Sequence, residues 1–134
     1  MAGKIIADQL EHSSVGVVDT KFVVNGSLKS YVNFDQSGPT VSDSLNISSV
    51  TDRSTGRASG NFSSSFSDSN HTATSFAKYV TSGTTKWWSC LTNDSSNGGV
   101  TSSKQSWCQT YGDQNEEHFW DSNAQHLMFV GDLA

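Results

Sequence analysis

Hydrophobic and polar residues alternate along most of this chain after position 20. In the first such segment Leu28, Val32 and Phe34 fall on one face of an extended chain. Tyr31 and Asn33 fall on the other face. A period of two is typical of a half-buried β-strand. The same reasoning predicts strands at 22–24, 27–34, 41–50, 57–62, 71–80, 85–91, 100–111 and 124–130.

Turn-forming residues separate these strands. Asn25-Gly26 tolerates positive φ and predicts a two-residue hairpin turn between the first two strands. Gly56 ends the segment Asp52-Arg53-Ser54-Thr55-Gly56 and is the expected left-handed residue of that turn. Short strands at regular spacing predict an all-β fold, a small antiparallel sandwich or barrel of about seven to nine strands.

The first twenty residues follow a different pattern. Ile5, Ile6 and Leu10 are interrupted by polar residues, and they weakly indicate a short helix over residues 5–11. Two interpretations remain open, an attachment arm that docks on another subunit through these three residues and a first edge strand. The predicted organisation is an N-terminal arm at 1–20 and a single β domain at 21–134.

Composition favours an ordered, acidic chain. Only 34% of the 134 residues are hydrophobic, but aromatics reach 10% and the net charge is only −5, whereas disorder combines few aromatics with high charge. Eight scattered basic residues do not form the stripe that binds nucleic acid. The sequence has no apolar run of membrane-span length and no secretory signal core, so we expect assembly in a cytosol without membrane insertion.

Catalytic signals are weak. The chain has no nucleophile elbow, P-loop, dinucleotide fingerprint or His-Glu-x-x-His motif. Glu116, Glu117, His118 and Asp121 form one titratable cluster, which is interpreted as a solvated acidic loop rather than a metal site or an acid–base pair. We therefore expect a protein that is not an enzyme and that needs no metal or cofactor.

The two cysteines are compatible with two states. Cys90 and Cys108 have no metal-ligand spacing, so they are interpreted as two reduced thiols. A disulfide would require their Cα atoms to lie within about 7 Å. Both states remain open at this point.

Aromatic residues are the better candidates for binding. They concentrate in the last third of the chain, and they can stack on sugar rings or anchor protein interfaces. Adjacent residues of a strand point to opposite faces, so at most one of each adjacent pair belongs to the core of a one-sided sheet. The candidate interface or receptor contacts are Trp87, Trp88, Trp107, Tyr111 and Trp120.

Residues 33–66 resemble a block found in tailed-bacteriophage tail-fibre and other virion structural proteins. The shared features are Asn-Phe near the start, then Asn-Ile-Ser-Ser-Val-Thr-Asp, Thr-Gly and Asn-Phe at the family's spacing, and a Gly-Asp-Leu-Ala ending. Asp68-Ser69-Asn70-His71 departs from the pattern, and Ala58 and Gly60 are smaller than usual. The resemblance implies a β-rich, trimeric part of a virion that is assembled in the host cytoplasm.

Three functions follow as hypotheses. The first is a homotrimeric tail-fibre or tail-tip subunit that contributes to host attachment. The alternative is a capsid decoration (cement) or head-fibre protein, and the third is a small carbohydrate-binding module. The expected partners are further copies of this chain, other virion proteins of tail or capsid, and a host surface glycan.

Overall fold

Strands make up most of the chain in the computed structural model, which describes residues 7–81, 84–88, 92–108, 110–112 and 117–134. The strands are β1 (Gln9–His12), β2 (Gly16–Asp19), β3 (Leu28–Asp35), β4 (Thr40–Leu45), β5 (Ile47–Ser54), β6 (Arg57–Phe62), β7 (Thr72–Thr81), β8 (Thr84–Trp88), β9 (Thr92–Asn93), β10 (Val100–Thr101), β11 (Lys104–Cys108), β12 (Thr110–Gly112), β13 (Glu117–Phe119) and β14 (Ala124–Val130). One α-helix, α1 (Thr20–Gly26), and a 3₁₀ turn, Ser95–Asn97, complete the described elements. None of the described helices has the length and apolarity needed to cross a membrane.

Two antiparallel sheets form a sandwich. Sheet I has the strand order β4-β3-β14-β7-β8, and sheet II has the order β10-β11-β6-β5 with β9 also paired to β11. Two ribbons, β1-β2 and β12-β13, lie outside these sheets. The predicted all-β class and the sandwich are confirmed. The described strands outnumber the prediction because the predicted strands at 41–50 and 100–111 are divided into shorter ones, and because β1, β2, β9 and β13 lie outside the predicted strand ranges.

The core lies between the two sheets. Sheet I contributes Val32, Phe34, Leu127 and Phe129, sheet II contributes Ala58, Phe62 and Trp107, and Phe66 follows β6. Small residues in β6 make room for the largest of these side chains. A Cβ atom at Gly60 would lie 3.2 Å from Cζ3 of Trp107. The indole therefore occupies the volume that a larger residue at this position of β6 would need.

A chain of buried amides links the sheets. The indole Nε1 of Trp107 donates to Oε1 of Gln125 at 2.8 Å, and Nε2 of Gln125 donates to Oε1 of Gln36 at 2.7 Å. Nε2 of Gln36 lies 3.1 Å from each of three acceptors, which are Oδ1 of Asp52 and the carbonyls of Ser54 and Arg57. The indole N–H and both glutamine amides of this chain thus have partners, as a stable core requires.

The predicted strand at 41–50 is wrong in one respect, because it is two strands in different sheets. Asn46 separates β4 from β5 and has φ of 56°. Asparagine tolerates this left-handed conformation better than most residues. Its side chain accepts from N of Ser64 at 2.7 Å and donates to O of Ser64 at 3.0 Å, so it fixes the corner at which the chain passes from sheet I to sheet II.

The predicted hairpin at Asn25-Gly26 is also wrong, because residues 20–26 form α1. Residues 22–24 thus do not pair as a strand with the start of β3. The end of the helix is bound by the side chains of Ser27 and Lys29, both of which donate to the carbonyl of Val24.

Residues 7–26 form a separate unit, here called the N-terminal module, from the β1-β2 ribbon and α1. The predicted helix at 5–11 is wrong where it is described, because Gln9–His12 is a strand. Ile5 and Ile6 lie outside the described residues. Thr20 ties the module together, since its hydroxyl donates to the carbonyls of residues 7 and 8. The division into an arm at 1–20 and a domain at 21–134 stays a prediction.

Candidate functional site

Trp107 is buried in the core, so the prediction that it contacts a partner or receptor is wrong. Its side chain is only 2% exposed and lies in the core between the sheets. The indole N–H, which is the polar group of the side chain, is already bound to Gln125. A partner or receptor therefore has no access to this residue in the folded chain.

The other predicted aromatic contacts lie elsewhere in the fold. Trp120 follows β13 and is 41% exposed, so it remains a surface candidate. Trp87 and Trp88 lie in β8, and Tyr111 lies in β12. The side chains of these three residues lie outside the described part of the structure, so their role as contacts stays a prediction. Leu10, the described member of the predicted arm contacts, lies exposed in β1.

The titratable cluster is only partly described. Glu116 lies outside the described residues, and of Glu117 and His118 only the backbone, in β13, is described. Oδ1 of Asp121 accepts a hydrogen bond from N of Gly56 at 2.8 Å, so this carboxylate closes the turn between β5 and β6. Within the described ranges no group of three or more potential ligands could hold a metal ion.

A buried ion pair holds the loop that precedes β10. Nη1 of Arg57 lies 2.9 Å from Oδ1 of Asp94, which is almost fully buried. The same oxygen accepts from N of Ser96, so Asp94 also caps the 3₁₀ turn. The guanidinium of Arg57 lies over the ring of Phe119, 4.4 Å from its centre. These contacts connect β6, the loop and β13, and their role is structural. Cys108 is buried in β11, and Cys90 lies outside the described residues, so the interpretation of both as reduced thiols stays a prediction.

The two stretches that resemble phage proteins meet in space. Phe66 forms an isolated β-bridge with Leu133, and N of Ala134 donates to O of Ser65 at 3.0 Å. A Cβ atom at Gly131 would lie only 3.0 Å from Cδ1 of Phe66, so glycine is required for this close approach. These residues of the resembling stretches therefore maintain the fold.

A shallow groove of about 260 Å³ crosses the outer face of sheet I. Two cross-strand rows from β3, β7 and β14 form this outer-sheet groove. They are Asn33–His126–Phe76 and Tyr31–Met128–Thr74. Phe76 is 42% exposed and Met128 is 48% exposed, so the groove presents large apolar surfaces to solvent.

Hydrogen bonds order the polar side chains of the outer-sheet groove. Nδ1 of His126 lies 2.8 Å from Oδ1 of Asn33, and the ring centre of Phe76 lies 6.4 Å from that of His126. The phenol of Tyr31 donates to Oδ2 of Asp43 at 3.0 Å. This hydrogen bond is the main reason that the pKa of Tyr31 is raised above its ordinary value. The groove is thus an ordered surface with both apolar and polar groups.

Sequence reasoning did not identify the outer-sheet groove. The available signal was the presence of Tyr31, Phe76 and Met128 at outward positions of strands, where polar residues are usual. Their separation along the chain hid the fact that they meet on one surface. The topology of sheet I, in which β14 lies between β3 and β7, brings them together.

The N-terminal module is a second exposed surface. Val15 is 82% exposed and Phe22 is 63% exposed. The large exposed hydrophobic residues of the module are Leu10, Val15, Val17, Val18, Phe22, Val23 and Val24. Apolar residues exposed at this density usually mark an interaction surface.

Comparisons with known proteins identify no relative of this chain. No protein-family model, no curated protein and no solved structure matches this chain. The two exposed surfaces and the resemblance of residues 33–66 to phage virion proteins are therefore the basis for assigning a function.

Proposed function

We propose that the protein is a structural subunit of a tailed-bacteriophage virion, a tail-fibre or tail-tip subunit that assembles as a homotrimer and contributes to host attachment. The observation that carries this proposal is the exposed apolar surface of the N-terminal module. The resemblance of residues 33–66 and of the C-terminal ending supports the virion assignment. Such a role depends on assembly and adhesion and requires no catalytic residue.

The N-terminal module supports assembly because it has little stabilisation of its own. Helix α1 has seven residues, none of them buried, and Asp19 at its N-cap makes no side-chain capping bond. A helix of this length is marginal in water and usually depends on packing against another surface. Phe22, Val23 and Val24 lie in this helix with large exposed areas. A neighbouring subunit that covers them supplies the missing packing.

A symmetric oligomer is the simplest source of that subunit. Soluble oligomers are mostly closed homo-oligomers, and homo-oligomeric interfaces are more apolar than transient ones. The module is rich in valine, and its large apolar side chains lie close together in sequence, as such an interface requires. The threefold symmetry follows from the resemblance to phage fibres.

Oligomeric state tests the proposal directly. Size-exclusion chromatography with light scattering on the full chain at micromolar concentration is expected to give three times the 14.4 kDa chain mass. Phe22→Ser is expected to lower that mass, because it places a hydroxyl in the apolar interface. Phe76→Ser is the matched control, since it changes an exposed phenylalanine outside the module. A wild-type chain that remains monomeric at this concentration would contradict the proposal.

A capsid decoration protein is the second candidate. The same exposed module favours it, because a small sandwich with an apolar arm is also suited to clamping neighbouring capsid subunits. Peptide counting in purified particles separates the two candidates. A copy number close to that of the major capsid protein would favour decoration, and a far lower one would favour the fibre.

A further inference from the structure

We infer that the outer-sheet groove is a binding site for a neutral saccharide. The inference rests on the proposed function for its biological role, since host attachment requires a surface that recognises a molecule of the host. The described residues that line the groove lie in sheet I and none belongs to the N-terminal module, so assembly and recognition would use different side chains.

The size of the groove suits a sugar ring. Its volume of about 260 Å³ lies just below the range of roughly 300–1,000 Å³ that is usual for pockets holding drug-sized ligands. The groove lies across three central strands of sheet I, which hold its side chains on a rigid base. A site on such a scaffold positions its groups more firmly than a loop does.

The apolar side chains of the groove suit the C–H face of a sugar. Phe76 and Met128 lie on neighbouring strands, and both are nearly half exposed. An exposed aromatic ring attracts C–H groups through its negatively polarised face, and the flexible thioether of methionine adapts to irregular shapes. The two side chains thus provide an apolar contact without forming a closed hydrophobic pocket.

The polar side chains suit the hydroxyl groups. Asn33 and His126 bond to each other through Oδ1 and Nδ1. Within the described residues, Nδ2 of Asn33 and Nε2 of His126 have no hydrogen-bond partner. Each of these atoms can bond to a ligand, and they lie in the same row as Phe76. A few fixed polar groups beside an apolar surface are typical of sites that orient a small ligand.

The charge of the groove favours a neutral ligand. None of the described residues that line it is Asp, Glu, Lys or Arg. The nearby carboxylate of Asp43 accepts from Tyr31 and adds negative charge beside the groove. An acidic sugar would therefore be disfavoured, and a phosphate or carboxylate ligand would find no lysine or arginine among the described residues that line the groove. A second copy of the chain fits less well, because the N-terminal module offers a larger apolar area.

Nuclear magnetic resonance titration of the ¹⁵N-labelled full chain tests the inference. The probes are the methyl glycosides of glucose, galactose, mannose and N-acetylglucosamine, each added separately. At least one of them is expected to cause saturable shifts of backbone amides at 31–33, 74–76 and 126–128. Phe76→Ala and, independently, Asn33→Ala are expected to weaken that binding about tenfold, as the loss of one aromatic or hydrogen-bonding contact would. Val41→Ala is the matched control and should bind like the wild type, because Val41 is exposed and belongs to neither the groove lining nor the N-terminal module.

Three results would overturn the inference. They are the absence of saturable shifts with all four glycosides, shifts that fall outside the groove, and shifts at the groove that arise on concentrating the chain without sugar. The last result would assign the groove to a second copy. Amide spectra of each variant without sugar verify that it is folded. A trimeric virion protein that binds no sugar would refute only this inference, and a sugar-binding monomer absent from virus particles would refute only the proposed function.

Discussion

Gln36→Met is expected to destabilise the protein strongly although it hardly changes the volume of the side chain. Gln36 is only 1% exposed and connects the two sheets. Its amide accepts from Gln125 at 2.7 Å and donates towards three oxygens at 3.1 Å. Methionine fills the same space but makes none of these hydrogen bonds. The substitution therefore isolates the contribution of the buried amide.

The magnitude follows from the buried groups that lose a hydrogen bond to Gln36. Nε2 of Gln125 is buried and loses the acceptor at Gln36, and the carbonyl of Arg57 is partly buried and loses a donor. Asp52 and Ser54 are exposed and can bind water instead. A buried unsatisfied group costs about 1–3 kcal/mol, so the variant should lose about 2–4 kcal/mol in the free energy of unfolding. For a chain of this length the corresponding fall in Tm is about 10 °C.

Urea unfolding followed by tryptophan fluorescence measures the loss. All variants are compared at one protein concentration, because self-association would make the apparent stability depend on concentration. Gln9→Met is the matched control, since Gln9 makes a single exposed bond to Asp19 and should change stability by less than about 0.5 kcal/mol. The double variant Gln36→Met/Gln125→Met should cost less than the sum of the single variants, because both remove the same hydrogen bond. A Gln36→Met variant as stable as Gln9→Met would refute this reasoning.

Three further substitutions test other positions by the same unfolding measurement. Asn46→Ala should lower the free energy of unfolding by about 2–3 kcal/mol, because alanine disfavours φ of 56° and makes no side-chain hydrogen bonds. Asn46→Gly should cost less, because glycine adopts this φ readily. A larger loss for Asn46→Gly would contradict the role of φ at this corner. Gly131→Ala places a Cβ 2.9 Å from its nearest neighbour and should cost about 1–3 kcal/mol. Gly38→Ala should be nearly neutral, because the nearest atom lies 3.9 Å from the added Cβ. Equal losses of stability for the two variants would contradict the argument that close packing requires glycine at position 131. Asp94→Asn should lower the free energy of unfolding by about 1–3 kcal/mol. This loss is smaller than that for a fully buried ion pair, because the side chain of Arg57 is 26% exposed. An unchanged stability would show that the ion pair contributes nothing.

Elements determined by local pattern were predicted well. β6 and β14 have the predicted bounds, Arg57–Phe62 and Ala124–Val130. In both strands a period of two is bounded by residues that favour turns or irregular backbone, so sequence neighbours alone define the element. Gly56 has φ of 68°, which confirms the predicted left-handed turn residue.

Elements that depend on distant strands were not predictable in the same way. The alternation of residues runs through β4 and β5, and only the contacts of Asn46 with the segment after β6 reveal the corner. The helix α1 replaced the strand that was predicted at 22–24, and its end is bound by the side chains of Ser27 and Lys29. Propensity is a weak guide where tertiary pairing decides the outcome.

The candidate surfaces show the same limit. Trp107 was chosen as a contact because tryptophans are crowded in its part of the chain, but the small residues opposite it in β6 allow it to enter the core. The outer-sheet groove was missed because Phe76 and Met128 are far apart in sequence. The aromatic density of a segment is thus a poorer guide to a binding surface than the set of outward positions on one sheet.

The resembling stretches and the apolar part of the proposed site involve different residues, although Asn33 of the groove belongs to the first stretch. Asn46, Gly56, Phe66 and Gly131 belong to the resembling stretches, and each occupies a corner, a turn or a close packing contact. Substitution at these positions would lower stability and binding together, so loss of binding there would not identify a receptor site. Phe76 lies on the outer surface, outside those stretches, and does not belong to the core cluster of the described residues. For this reason a change in binding without a change in stability is the result that assigns recognition to the outer-sheet groove.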